Sequence, residues 1–371
     1  MLTHSQDKNE SGLVGRIPVR NLWLLMLYAS HLYRDVSTSR TAVEDNPDDI
    51  PDLVAEILTR SVERRLRRNL CFGYRSKTDV LSRVRGRVDL LATERKQLLN
   101  RGKVACRYEE LTVDTPRNRY VRAALLQLMK IVRRKDLAHR CRSLAGSLGQ
   151  LGVAGEKPAR AQMSANRFGR HDLEDQQMVV AARLAFDLAL PTEEKGAMHL
   201  PVPEREIAWV RKLFEKAVAG FYDVVLAHTG WRVEAGKTMD WLIESKTAGM
   251  DSILPSMRTD IILEHVQKGR RIIIDTKFNS IVTRGLYRDQ TLRSGHIYQI
   301  YAYLRSQVGC GDPLADSASG LLLHPSVGEM MDETVVIQGH EIRVATVDLA
   351  AEASEIRKQL LNVAGLAGTT D

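Results

Sequence analysis

The sequence predicts a mixed helix-and-sheet protein in two parts: an α+β N-terminal half of helices and small β-hairpins or a small barrel, then an α/β C-terminal half. Three observations carry this. Helix-period apolar patterns alternate with short β-branched runs in both halves. Three prolines between Pro191 and Pro203 flank a polar stretch containing Glu193, Glu194, Lys195 and Gly196, the composition of a linker. With 371 residues the chain is long enough for two cores. The expected division is a polar, disordered tail at 1–15, an N-terminal domain at 16–190, a linker at 191–203 and a C-terminal domain at 204–371.

From Pro18 to about Arg34 a helix is expected, because Pro18 suits a helix start and Leu22, Leu25, Met26 and Leu32 recur at helical spacing. A second helix is expected from Asp52 to Leu70. Val80 to Leu91 and Val104 to Val113 alternate as hairpin strands broken by Gly86 and Gly102. Helices resume at Asn118–Arg134 and Asp136–Leu148, a loop follows at Gly149–Pro158, and another helix covers Leu173–Leu190. Beyond the linker the expected order is helix (Glu204–Ala227), strands near Trp231–Val233, Met257–Glu264 and Arg271–Phe278, and a helix at Ile297–Gln307. A strand at Gly320–Leu323, a β-pair and a terminal helix complete the chain.

Composition bounds the function classes. Hydrophobic content of 44% and charged content of 27% are those of an ordinary globular protein. Aromatics at 5% are too sparse for extended base-stacking platforms. A formal charge of +8 favours polyanionic partners. Much of the excess lies between Arg64 and Lys103, where a solvated helix face and a phosphate track are equally open readings. Cys71, Cys106, Cys141 and Cys310 are far apart and form no Cys-x-x-Cys pair, which argues against a zinc site or a disulfide framework. The apolar run Leu22–Ala29 is too short to span a bilayer. The expectation is a reduced cytoplasmic protein with no membrane contact.

Chemistry concentrates in Arg258-Thr-Asp-Ile-Ile-Leu-Glu264 and Arg271-Ile-Ile-Ile-Asp-Thr-Lys277. Both runs are short and β-branched, and the polar stretch between them suits a turn, so an antiparallel hairpin is expected. If the turn centres on Gln267 and Lys268, Asp260 falls opposite Asp275. Asp275 and Lys277 are two residues apart on one strand, so they share a face at a separation of about 7 Å. Two carboxylates on one face suit Mg²⁺, a hard cation that takes oxygen ligands together with water and phosphate. A neighbouring lysine can orient a water and stabilise developing charge. The bland alternative is an Asp acting as turn former and a chance Asp-x-Lys.

This pattern resembles the PD-(D/E)xK nuclease core, whose α-β-β-β-α-β order matches the order read above. The C-terminal domain is therefore expected to be an α/β PD-(D/E)xK restriction-endonuclease-like fold. Glu215, on the helix before the sheet, matches an additional metal-directed carboxylate of many such enzymes. Gln299 and Tyr303 reproduce the Q-x-x-x-Y motif of the RecB-like branch, one helical turn apart on one face. Thr259 replaces the proline of the motif name, at a position that supplies no ligand. The resemblance implies catalytic roles for Asp260, Asp275, Lys277, Glu215, Gln299 and Tyr303, with Mg²⁺ on Asp260, Asp275 and Glu215.

A wider resemblance covers most of the chain from about residue 16, with a poor match at 136–200. Ile17-Pro-Val-Arg-Asn-Leu-Trp-Leu-Leu-Met-Leu-Tyr-Ala29, Gly86-Arg-Val-Asp-Leu, Glu110-Leu-Thr-Val-Asp-Thr-Pro-Arg-Asn-Arg119 and the segments around Asp260 and Asp275 resemble McrC. McrC is the nuclease subunit of McrBC modification-dependent restriction systems. The resemblance implies cleavage of double-stranded DNA in a complex with an McrB-like AAA+ GTPase hexamer, which reads modified cytosine and binds the GTP. It also implies an N-terminal domain that docks on that ring, through Arg83, Arg85 and Arg87 in the present reading. Gly230 to Thr238 imitates a P-loop but has five residues between its glycines and no preceding apolar strand, so nucleotide binding by this chain is not expected. Two further alternatives are a non-catalytic adaptor of the ring and a stand-alone RecB-like exonuclease.

Overall fold

The computed structural model of the chain describes residues 16–30, 32–35, 47–164, 168–169, 172–193, 203–279, 281–283, 291–327 and 330–368. The expected tail at 1–15 and most of the expected linker (194–202) lie outside them. Helix α1 (Val19–Tyr28) opens the chain. There follow α2 (Ile50–Arg68), β1 (Gly73–Leu81), β2 (Arg87–Val88), β3 (Val104–Thr112), α3 (Pro116–Ile131), α4 (Lys135–Gln150) and α5 (Leu173–Glu193). Helix α6 (Pro203–Val225) leads into β4 (Arg232–Ala235), β5 (Thr238–Met239), β6 (Met257–Arg258), β7 (Ile261–His265) and β8 (Arg270–Thr276). The remaining elements are β9 (Val282–Thr283), β10 (Thr291–Leu292), α7 (Ser294–Arg305), β11 (Ser319–Ser326), β12 (Asp332–Ile337), β13 (His340–Asp348) and α8 (Ala353–Val363). No helix among the described residues is long and apolar enough to cross a membrane.

The chain forms two compact units, Pro51–Ala189 and Met1–Ile50 with Leu190–Asp371. The expected N-terminal domain of 16–190 therefore differs at its start, because α1 belongs with the C-terminal half. The cause is its composition. Leu22, Leu24, Leu25, Met26, Leu27 and Tyr28 are all buried, so the helix needs cover on more than one side. It crosses α6 so closely that a Cβ on Gly220 would lie 2.0 Å from the Tyr28 carbonyl oxygen. Tyr28 also meets Phe221 at 5.2 Å between ring centroids. Asn21 donates from Nδ2 to the carbonyls of Leu349 (2.8 Å) and Ala351 (2.9 Å), tying α1 to the far end of the chain.

In the unit of residues 51–189 the three strands pair antiparallel in the order β1-β3-β2. Strand β1 begins at Gly73, earlier than the expected Val80, because its residues from Tyr74 to Lys77 are polar or exposed and show no apolar alternation. A short helix at Leu90–Arg95 replaces the end of the expected strand, capped by Asp89, whose carboxylate accepts from the Ala92 amide.

The larger unit is built on a six-stranded mixed sheet in the order β12-β13-β11-β8-β7-β4. Strand β11 runs parallel to both β8 and β13, whereas β7 is antiparallel to β8 and β4. The β7–β8 turn, Val266–Lys268, closes on Gly269 at φ +62°, a left-handed position that favours glycine. Its register pairs Ile261 with Ile274 and His265 with Arg270. Helix α7 covers one face of the sheet, where Ile300, Tyr303 and Leu304 pack on Ile273, Leu322, Ile342 and Val344.

Candidate active site

The hairpin register brings the two aspartates together. Continuing the Ile261–Ile274 pairing by one residue sets Asp260 opposite Asp275, as the expected turn requires. The expected strand over Met257–Glu264 is broken at that point, with β6 pairing to β5 and β7 to β8. The Asp260 carbonyl accepts from the Gly236 amide at 2.7 Å, and its Oδ2 accepts from the Thr276 amide (2.7 Å) and hydroxyl (2.9 Å). Thr276 thus fixes one carboxylate, a role the sequence reading missed.

Asp275 is 1% exposed, and neither of its oxygens receives a well-directed hydrogen bond. Its close counter-charge among the described residues is the Lys277 ammonium, 2.8 Å from Oδ2. Burial pushes the Asp275 carboxyl up to about 6; Lys277 opposes the rise, and Asp260 and Glu215 add to it. Glu215, half-buried on α6, is also raised, first by burial and then by Asp260, against the pull of Arg258. Three carboxylates therefore share one electrostatic neighbourhood.

Gln299 and Tyr303 join the same site through a chain of bonds. Lys277 Nζ donates to Gln299 Oε1 (3.0 Å), Gln299 Nε2 donates to Tyr303 Oη (2.6 Å), and Tyr303 donates to the Arg258 carbonyl (2.8 Å). The helical motif is thus a brace that holds the ammonium against Asp275. Five of the six predicted residues, Asp260, Asp275, Lys277, Gln299 and Tyr303, meet on the α7-covered face, and Glu215 reaches them from α6 by charge.

A divalent metal was the expected occupant. Among the described residues no group of three His, Cys, Asp or Glu side chains stands close enough to hold an ion unaided. The donors nevertheless fit Mg²⁺, which takes one or two carboxylates and completes its shell with water and phosphate. The observation that favours the fit is Asp275, a buried carboxylate whose proton affinity is raised by burial and by two other acids, with the Lys277 ammonium at 2.8 Å opposing the rise.

The remaining predicted positions lie elsewhere. Arg83, Arg85 and Arg87 are exposed in the unit of residues 51–189, the first two between β1 and β2 and the third opening β2, with Arg85 stacked 4.1 Å over the Tyr108 ring. The P-loop imitation forms β4 and the turn into β5. No helix follows it to receive phosphate, and Lys237 is paired with Glu234 at 2.7 Å.

Comparison with known proteins adds three findings. The family model for the McrBC 5-methylcytosine restriction system component matches residues 3–314. The type IV methyl-directed restriction enzyme EcoKMcrBC of Escherichia coli (strain K12) is 24% identical over 351 residues, covering 94% of this chain and 97% of the relative. Among solved structures, a half-complex from the tetradecameric assembly of Thermococcus gammatolerans McrB AAA+ hexamers with bound McrC aligns with a TM-score of 0.40 at 13% identity, over 93% of this chain and 76% of that one.

Proposed function

Because the chain belongs to the family of McrBC 5-methylcytosine restriction system components, we propose that it is the DNA-cleaving subunit of a GTP-dependent restriction complex. It hydrolyses DNA phosphodiesters with Mg²⁺ and stimulates the GTPase of an McrB-like AAA+ ring. The observation that carries the nuclease reading is the buried Asp275–Lys277 pair at 2.8 Å, facing Asp260 and braced through Gln299 and Tyr303.

In this mechanism Asp260 and Asp275, with Glu215 nearby, would hold the ion, which would supply polarisation of the scissile phosphate and a water of lowered pKa. Lys277 orients the attacking water and offsets charge growing on the phosphate oxygens. Thr276 keeps the Asp260 carboxylate from rotating away, and the Gln299–Tyr303 brace does the same for Lys277. Burial around Asp275 strengthens each of these charge interactions.

The test is cleavage of covalently closed, cytosine-methylated plasmid with the AAA+ partner, GTP and Mg²⁺, comparing wild type with Asp275→Ala. Loss of cutting in the variant, with GTPase stimulation retained, is expected. Equal cutting by both would leave the chain an adaptor of the ring, and activity confined to linear DNA would make it an exonuclease. Arg83, Arg85 and Arg87 are proposed to touch the ring, since all three are exposed, Arg83 and Arg85 on the connection between β1 and β2 and Arg87 at the start of β2. Charge reversal of Arg85 and Arg87 is expected to abolish GTPase stimulation, and unchanged stimulation would remove that assignment.

A further inference from the structure

A second polar cluster adjoins the acidic site and is not used by the chemistry above. Asp275 on β8 pairs with Leu322 on neighbouring β11, and in strand alternation Leu322, His324 and Ser326 face one side of the sheet. Helix α7 lies over this row. Gln299 reaches Lys277, and His296, one turn earlier on the same helical face, reaches His324 at 5.6 Å between ring centroids. His324 is 1% exposed, and its Nδ1 is 3.0 Å from the Asn279 carbonyl, which assigns the ring proton to Nδ1.

Unsatisfied polar atoms gather here. Among the described residues, buried Asn279 Oδ1, Arg293 Nε and Ser326 Oγ have no hydrogen-bond partner, and Ser326 is only 7% exposed. Such orphans are rare in folded proteins and each calls for a ligand or water. Charge points to the ligand's sign. Arg293 has no ion-pair partner among the described residues, and it precedes α7, whose first turn carries no acidic side chain and no side-chain cap. Ser294 and Gly295 at that helix start are exposed residues, and a Cβ on Gly295 would meet open space. Burial first, then Lys277 and Arg293, hold the His296 imidazole down at about 4, so this ring is a neutral hydrogen-bonding group beside two cations.

We propose that Arg293, His296 and the amides opening α7 form a second phosphate subsite, which takes the DNA backbone phosphate next to the one cleaved at Asp275 and Lys277. The helix dipole and the guanidinium attract the anion, and the neutral imidazole orients it. His324, fixed on Asn279, backs His296 from the sheet. The subsite sets the register of the strand, so that the neighbouring phosphate reaches Lys277. This inference rests on the nuclease reading.

The test is binding of the full-length chain to a fluorescent 30-base-pair duplex in EDTA, followed against salt concentration, so that cleavage plays no part. Arg293→Gln is expected to weaken binding about tenfold and to make the slope of log affinity against log salt shallower by about 0.9, the loss of one phosphate contact. Arg293→Lys retains the slope. His296→Ala weakens binding about threefold with the slope unchanged, because a neutral ring releases no counterion. An unchanged slope in Arg293→Gln, a lysine variant that behaves like the glutamine variant, or a wild type that does not bind the duplex overturns the subsite. A chain that cuts plasmid with its partner but shows an unchanged slope loses the subsite and keeps the nuclease. One that shows the expected slopes but never cuts loses the nuclease.

Discussion

Asp275 is a carboxyl that the fold holds at a disadvantage. Its proton affinity is raised from 3.8 to about 6, so its contribution to stability is fully present below pH 3.8 and lost as pH rises through about 6. At 1.36 kcal/mol per unit, ionisation at neutral pH costs the fold up to about 3 kcal/mol. Asp275→Asn should therefore abolish cleavage and yet raise unfolding free energy at pH 8 by about 1–3 kcal/mol, read by urea denaturation. Wild type should gain melting temperature with millimolar Mg²⁺ and the Asn variant should not, a difference visible without any DNA. The histidines act with the opposite sign. His296 and His324 are lowered from 6.5 to about 4, so their contribution is present above pH 6.5 and lost as pH falls through 4. Between pH 4 and 6 Asp275 offsets one of these two protons. The pH dependence of stability in Asp275→Asn should be steeper than in wild type by about one proton in that window, and identical slopes would contradict the shifts.

Among the elements, helix α7 carries the site's most direct consequence. It presents His296, Gln299 and Tyr303 along one face, and the last two immobilise Lys277. Gln299→Ala should lower kcat by about 10–100-fold with little change in KM, because the ammonium remains but is no longer oriented. Much of this was legible in the sequence. The hairpin register followed from two β-branched runs and a turn centre, and the shared face of Gln299 and Tyr303 from helical spacing. His296 stands on the same face one turn back, but no sequence motif marks it. Thr276 carried no signal, since its role depends on a carboxylate from the adjacent strand. The first part of strand β1, before Val80, was not legible for a physical reason: its residues from Tyr74 to Lys77 stay exposed, so pairing with β3, not burial, makes them strand.

For the molecule as a whole, the larger unit draws on both ends of the chain. Gly220 permits α1 to lie against α6, so Gly220→Val should destabilise this unit by more than about 2 kcal/mol through overpacking. The expected readout is an early unfolding phase that takes nuclease activity with it. For the same reason a fragment starting at residue 204 should fold poorly, although it contains every predicted catalytic residue. The sequence placed α1 with its neighbours in the chain, since an apolar helix announces that it will be buried but not against what.

Asn21 hydrogen-bonds partners that lie 328 and 330 positions downstream. A ribosome adding about 5–20 residues per second needs roughly 20–60 s to deliver them. Until then the Asn21 side-chain amide has neither of these acceptors. The larger unit is thus completed only after residue 351 has been made, so a product that stalls before that point leaves α1 without these hydrogen-bond acceptors.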